Sequence, residues 1–129
     1  MSEFFAAGGR ASLDNPAAAA GLGLRLLEHA IGSGDRAGLD RGIDLLRRAV
    51  NAAPGHESLA EWLSALPTAL LIRYEQAGTR ADLDEAVAAA REAVRLTPAD
   101  HPGRTALLAN LAAALARRYE RTGAPRDPG

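Results

Sequence analysis

Arg73-Tyr74-Glu75, followed at position 78 by glycine, returns as Arg118-Tyr119-Glu120, followed at position 123 by glycine. The two tyrosines stand 45 residues apart. Upstream, Leu39-Asp40 returns as Leu83-Asp84, Arg47 as Arg91, Ala49-Val50 as Ala93-Val94 and Pro54 as Pro98, each at a spacing of 44. His56 and His101 are again 45 apart, which places one gained residue between Pro98 and His101, inside a proline-flanked loop. A length change of one residue confined to a loop is what packed helical repeats tolerate. The chain therefore reads as a helical repeat, and Tyr74 to Glu120 holds one whole copy of its unit.

Composition agrees with that reading. The 129 residues suffice for one domain with a modest core. Only 4% are aromatic, so the interior must be built from Ala, Leu and Val, and alanine has the highest helix propensity. No run alternates apolar and polar residues with β-branched enrichment, so strands are not expected. A formal net charge of −1 gives no reason to expect nucleic acid or an anionic membrane as partner. The absence of cysteine excludes disulfides and thiolate metal sites. Glu3 stands where a signal peptide wants positive charge, and the Ala-rich run that follows is too broken to span a bilayer. A cytoplasmic protein is expected.

Along the chain, residues 1–14 lack periodicity and read as a loose arm, 15–123 as a single helical domain, and 124–129 as a frayed tail. Asn15 and Pro16 form a helix start, cap then first helical position, for a helix over 16–31. Its apolar face carries Leu22, Leu26, Leu27 and Ala30, and Gly21 and Gly23 weaken it. A second helix runs over 36–53 with Asp35 as cap, Pro54 as stop and Leu39, Ile43, Leu46 and Val50 at amphipathic spacing. The third, over 57–77, aligns Leu59, Leu63, Leu66, Leu70 and Tyr74, with Pro67 kinking it without ending it. Thr79 to Asp82 reads as a capping box opening a fourth helix that ends near Leu96 and buries Leu83, Ala86, Val87, Ala90 and Val94. A fifth, over 102–122, buries Leu108, Leu111, Leu115 and Tyr119.

Before each proline the second helix of the unit carries small or apolar residues at a fixed beat: Gly42, Leu46, Ala49 and Pro54, then Ala86, Ala90, Ala93 and Pro98. This resembles the second-helix signature of tetratricopeptide repeats. Leu66-Pro67 with Leu70, and Leu111-Ala112 with Leu115, resemble the first-helix pair and its following large residue. The unit exceeds the ~34 residues of that family by about ten, and Pro67 replaces a small residue. In length and in its Arg-Tyr-Glu and Pro-Ala-Asp-His-Pro phrases it is similar to the extended repeats of large bacterial and fungal signalling regulators. Those repeats often sit beside caspase-like (CHAT) or nucleotide-binding (NB-ARC) domains. The resemblance covers residues 22–123. It implies an all-α, right-handed stack of antiparallel helical hairpins, an α-solenoid of about five helices, and a non-catalytic role in protein interaction.

Within that resemblance, Ser64, Thr68, Leu71 and Ile72 of the third helix face a concave groove, as do Ala113 and Arg117 of the fifth. Asn110 falls where the family often places an asparagine that grips a peptide backbone. The lysines of the family's carboxylate clamp are absent. Arg73, Arg117, Arg118 and Arg121 lie near the ends of the two longest helices, where cations suit the negative end of the helix dipole and where a patch for carboxylates is available. Trp62 reads as a hairpin lid or an interface anchor, with Arg118 and Arg121 as further interface candidates.

Catalytic readings fare worse. His56 and His101 recur because the repeat recurs, which points to loop-fastening hydrogen bonds, and a metal site would need convergent ligands at short spacing. His29 is expected to face solvent. Asp82, Asp84 and Glu85, like Asp40 and Asp44, sit in or near a first helical turn, where carboxylates favour the dipole's positive end. Neither a nucleophile elbow, a phosphate-cradling loop nor a dinucleotide fingerprint is present. The expectation is therefore no enzyme, no cofactor and no metal. The expected function is a scaffold or adaptor that binds a peptide or helix through the groove, or a second copy through its terminal hairpin. The alternatives are a regulatory fragment of a larger signalling protein and a small-ligand-binding accessory subunit of an enzyme.

Overall fold

The computed structural model describes residues 15–122, so the expected arm and tail lie outside the described residues. Within them the chain is all-helical, with no strand: α1 Pro16–Ser33, α2 Arg36–Ala52, α3 Leu59–Ala77, α4 Arg80–Leu96 and α5 Arg104–Thr122. Each end lies within two residues of its expected place. The helices repeat as the sequence does. α2 and α4 each have 17 residues, with both ends 44 apart, and α3 and α5 each have 19, with both ends 45 apart. The chain divides into two compact units, Met1–Trp62 and Leu63–Gly129, with the break inside α3. No described helix is long and apolar enough to cross a membrane.

In the first unit, α1 and α2 pack against each other across a two-residue connection. The Asn15 carboxamide accepts from the N–H groups of Ala17 (2.9 Å) and Ala18 (3.2 Å), satisfying donors that the helix itself cannot pair. Gly34 ends α1 at φ +78°, a left-handed conformation that a Cβ disfavours, and donates to the Ala30 carbonyl at 2.8 Å. Asp35 then caps α2 by accepting from the Gly38 N–H at 3.0 Å.

Gly23 is buried and marks where the backbones of α1 and α2 meet. A Cβ there would lie 3.1 Å from the Gly42 carbonyl oxygen, and one on Gly42 would lie 3.0 Å from the Gly23 carbonyl oxygen and 2.6 Å from Leu27 Cδ2. The contact face of α1 is accordingly Ala19, Ala20, Gly23, Leu27 and Ala30, with Leu22 and Leu26 only half-buried. On α2, Leu45 and Ala49 join Leu39, Ile43 and Leu46 in the core, while Val50 is half-buried.

In the second unit, Gly78 repeats the work of Gly34, at φ +73° and with its N–H on the Tyr74 carbonyl at 2.7 Å. Thr79 departs from the expected capping box. Its hydroxyl makes no cap bond, and the Asp82 N–H reaches only the Thr79 backbone carbonyl, at 3.1 Å. The Asp82 carboxylate is buried and held by Arg73 instead. α4 buries Leu83, Ala86, Val87, Ala89, Ala90 and Ala93, leaves Val94 half-buried and packs against α5. α3 continues through Pro67, which is buried.

The stripe expected on α5 is corrected. Leu108 and Tyr119 are exposed, at 45% and 52%, and Leu111 and Leu115 are half-buried. Ala114 is buried on this helix, and Leu107, Leu111, Leu115 and Arg118 are half-buried. Periodicity marks an apolar face but does not say how far a neighbour covers it.

Candidate functional site

The two histidine loops are built alike. The His56 N–H donates to the Ala53 carbonyl at 3.0 Å, His56 Nδ1 accepts from the Ser58 N–H at 2.9 Å, and the Leu59 N–H donates to the His56 carbonyl at 3.1 Å. Every partner recurs 45 residues on. The His101 N–H donates to Pro98 at 3.0 Å, Nδ1 accepts from Gly103 at 2.9 Å, and the Arg104 N–H donates to the His101 carbonyl at 3.1 Å. Both imidazoles therefore fasten the turn that starts the next helix, as their recurrence implied.

Because these bonds are in step from Pro98 onward, the gained residue lies just ahead of Pro98 and not after it. Ala53 both ends α2 and serves as the acceptor for His56; in the later copy those tasks fall to Thr97 and Pro98. Thr97 is buried, with its hydroxyl donating to the Ala93 carbonyl at 2.7 Å. Arg104 then ties the start of α5 to the end of α4, donating to the carbonyls of Val94 (3.1 Å) and Thr97. A cation suits that negative helix end.

Trp62 is buried, and its ring stacks on His56 at a centroid separation of 4.6 Å and an interplanar angle of 28°. An interface anchor presents its ring outward; this one is turned to the loop.

The arginines are each placed against a neighbour. Arg73 grips Asp82 through Nε (3.1 Å) and Nη2 (2.9 Å). Arg117 of α5 pairs with Glu75 of α3, and Arg118 lies 3.6 Å from Asp84 of α4. Arg121 Nη1 donates to the Gly78 carbonyl (2.8 Å) and the Tyr74 hydroxyl (3.3 Å), with its guanidinium 5.8 Å from the Tyr74 ring centroid. Together they bind the C-terminal ends of α3 and α5 to each other and both to α4. The sequence offered Arg73, Arg117, Arg118 and Arg121 as a patch; it did not offer Asp82, Glu75, Asp84 and Tyr74 as their partners. Arg73 stands five residues before Gly78 and Asp82 four after it, so the tight turn at Gly78 is what brings the two together.

The remaining groove candidates lie on open or partly open faces. Thr68 and Ala113 are exposed, and Ser64, Leu71, Ile72 and Asn110 are half-buried. On α3, positions 64, 68, 71 and 72 share one helix face beside the arginine-tied end. His29 is exposed. Among the described residues no group of three or more His, Asp or Glu side chains is placed to hold a metal ion. Glu92 is held below the ordinary carboxylate range by the hydrogen bond it accepts from Arg95, yet both are surface groups on α4. No family model, curated protein or solved structure matches the chain.

Proposed function

We propose that this chain is a non-catalytic, cytoplasmic interaction module of the tetratricopeptide-like kind. In this reading its hairpins stack in a right-handed array and present a groove to a peptide or helix of a protein partner. The carrying observation is the fixing of α3 to α5. Arg117 on Glu75 and Arg121 on Tyr74 and Gly78 hold the two helices side by side at their C-terminal ends. On the same two helices lie Thr68 and Ala113, open to solvent, and Ser64, Leu71, Ile72 and Asn110, half open. Small and mixed polar–apolar side chains on a pre-set pair of helices suit recognition of an extended or helical segment, because little ordering is left to be done on binding.

Peptide selection from a random library on the immobilised protein tests this. A selected peptide is expected to bind Thr68→Arg and Asn110→Ala at least about tenfold more weakly than wild type, as losses at central contact residues do. Failure to enrich any peptide, or equal binding by wild type and both variants, would overturn the reading.

A further inference from the structure

The helix starts differ in the chemistry of the group that fastens them. Asn15 opens α1 by accepting from the Ala17 N–H at 2.9 Å, and Asp35 opens α2 by accepting from the Gly38 N–H at 3.0 Å. Thr79, ahead of α4, makes no side-chain cap bond. Ahead of α3 and α5 the acceptor is an imidazole. His56 Nδ1 takes the Ser58 N–H and His101 Nδ1 the Gly103 N–H, each at 2.9 Å and each two residues on, the same reach as Asn15 to Ala17. The two helices that carry the groove candidates are thus the two whose lead-in turns hang on histidine.

An amide or carboxylate oxygen accepts a hydrogen bond at about pH 5 as it does at about pH 8. An imidazole nitrogen accepts only while it carries no proton. Once Nδ1 takes up a proton from solvent it becomes a donor aimed at a donor, and the amide it held loses its partner in the turn. Imidazole is also the side chain whose charge ordinarily changes within that pH range.

The surroundings do little to offset the loss. Glu57 and Glu61 follow His56, Asp100 precedes His101 and Arg104 follows it, but among the described residues no ion pair reaches either imidazole. The Arg104 guanidinium is held by the Val94 and Thr97 carbonyls at the end of α4. His56 has a neighbour that favours a positive ring, the Trp62 indole stacked on it at 4.6 Å. Among the described residues His101 has no such neighbour.

We propose that His56 and His101 form a paired acid-sensitive latch. Proton uptake at Nδ1 releases the turns that start α3 and α5, the His101 turn more readily, while the starts of α1 and α2 keep their bonds. The inference goes beyond the interaction-module reading and does not depend on it.

The test sets wild type beside the double variant His56→Asn with His101→Asn, whose amide oxygens supply the same two-residue bond without titrating, as Asn15 does. His29 is present in both proteins, so its own titration cancels. Between about pH 7.5 and pH 5.5, wild type should lose about 3 °C or more of unfolding temperature beyond what the double variant loses. His101→Asn alone should remove the larger share of that difference. In wild type kept folded over the same range, the amide protons of Ser58 and Gly103 should move upfield in NMR spectra while that of Ala17 stays in place. Equal losses in wild type and the double variant, or Ser58 and Gly103 amides as steady as Ala17, overturn the proposal. If the double variant does not fold, the wild-type amide titration decides alone. No peptide enters either readout, so a failed groove reading leaves the result standing, and a failed latch leaves the groove reading intact.

Discussion

Arg73 holds the buried Asp82 with two side-chain hydrogen bonds, of 3.1 and 2.9 Å, across the turn that joins α3 to α4. Removing the arginine leaves a carboxylate in the interior with nothing to replace water. Arg73→Ala should destabilise the protein by about 2–4 kcal/mol in urea unfolding, and Arg73→Lys, which offers no planar fork, by about half that. Replacing both partners together, as Arg73→Met with Asp82→Leu, should cost much less than the single change, because no orphaned charge remains. Additive losses in the double variant would show that the pair is not coupled.

Gly42 and Gly21 should respond in opposite directions to alanine. A Cβ at Gly42 meets Leu27 at 2.6 Å and the Gly23 carbonyl at 3.0 Å, whereas one at Gly21 finds only the end of Arg25, at 3.8 Å. Gly21→Ala should gain up to about 1 kcal/mol from helix propensity. Gly42→Ala should lose about 1–3 kcal/mol from overpacking despite the same propensity gain. Thermal unfolding of the two variants beside wild type decides it.

Helix starts were legible in the sequence because they depend on local chemistry: Asn15 before Pro16 and Asp35 as cap. The loop role of His56 and His101 was legible because both partners lie two residues away. What the sequence withheld was pairing at a distance. It marked Asp82 as a first-turn acid without showing that Arg73 reaches it, and it counted Gly23 as a weakness when the approach of Gly42 requires a residue without a side chain. Of the candidate groove the arginines were visible and their partners were not, since Arg121 and Tyr74 stand 47 residues apart.

Two histidines with the same hydrogen bonds should differ in worth. His56→Ala loses the Ser58 bond and the stack on Trp62, while His101→Ala loses only the Gly103 bond. Each lost bond should cost about 0.5–1.5 kcal/mol, and the stack should add about 0.5–1 kcal/mol to the His56 loss. Matched urea titrations would show equal losses if the stack contributes nothing.

Glu92 supplies a pH signature. Its carboxyl is held below its ordinary value by the hydrogen bond from Arg95, so it stays ionised in the folded chain at pH values where the unfolded chain takes up a proton. Its stabilisation is therefore present above the ordinary carboxylate value and lost as pH falls through the folded value. The small stability gap between wild type and Glu92→Gln should be larger at pH 7 than at pH 3, at low salt; a gap that widens on acidification contradicts this.

The division of Ala53's tasks between Thr97 and Pro98 bears on how such a chain evolves. An added residue usually strands a donor or an acceptor, and the insertion is then lost to selection. Here the newcomer enters between two duties one residue had carried alone, with its own hydroxyl bonded to Ala93 and its carbonyl taken by Arg104. The seam between α4 and the second histidine turn is thus a place where copies of unequal length keep the added residue's hydroxyl and carbonyl both bonded.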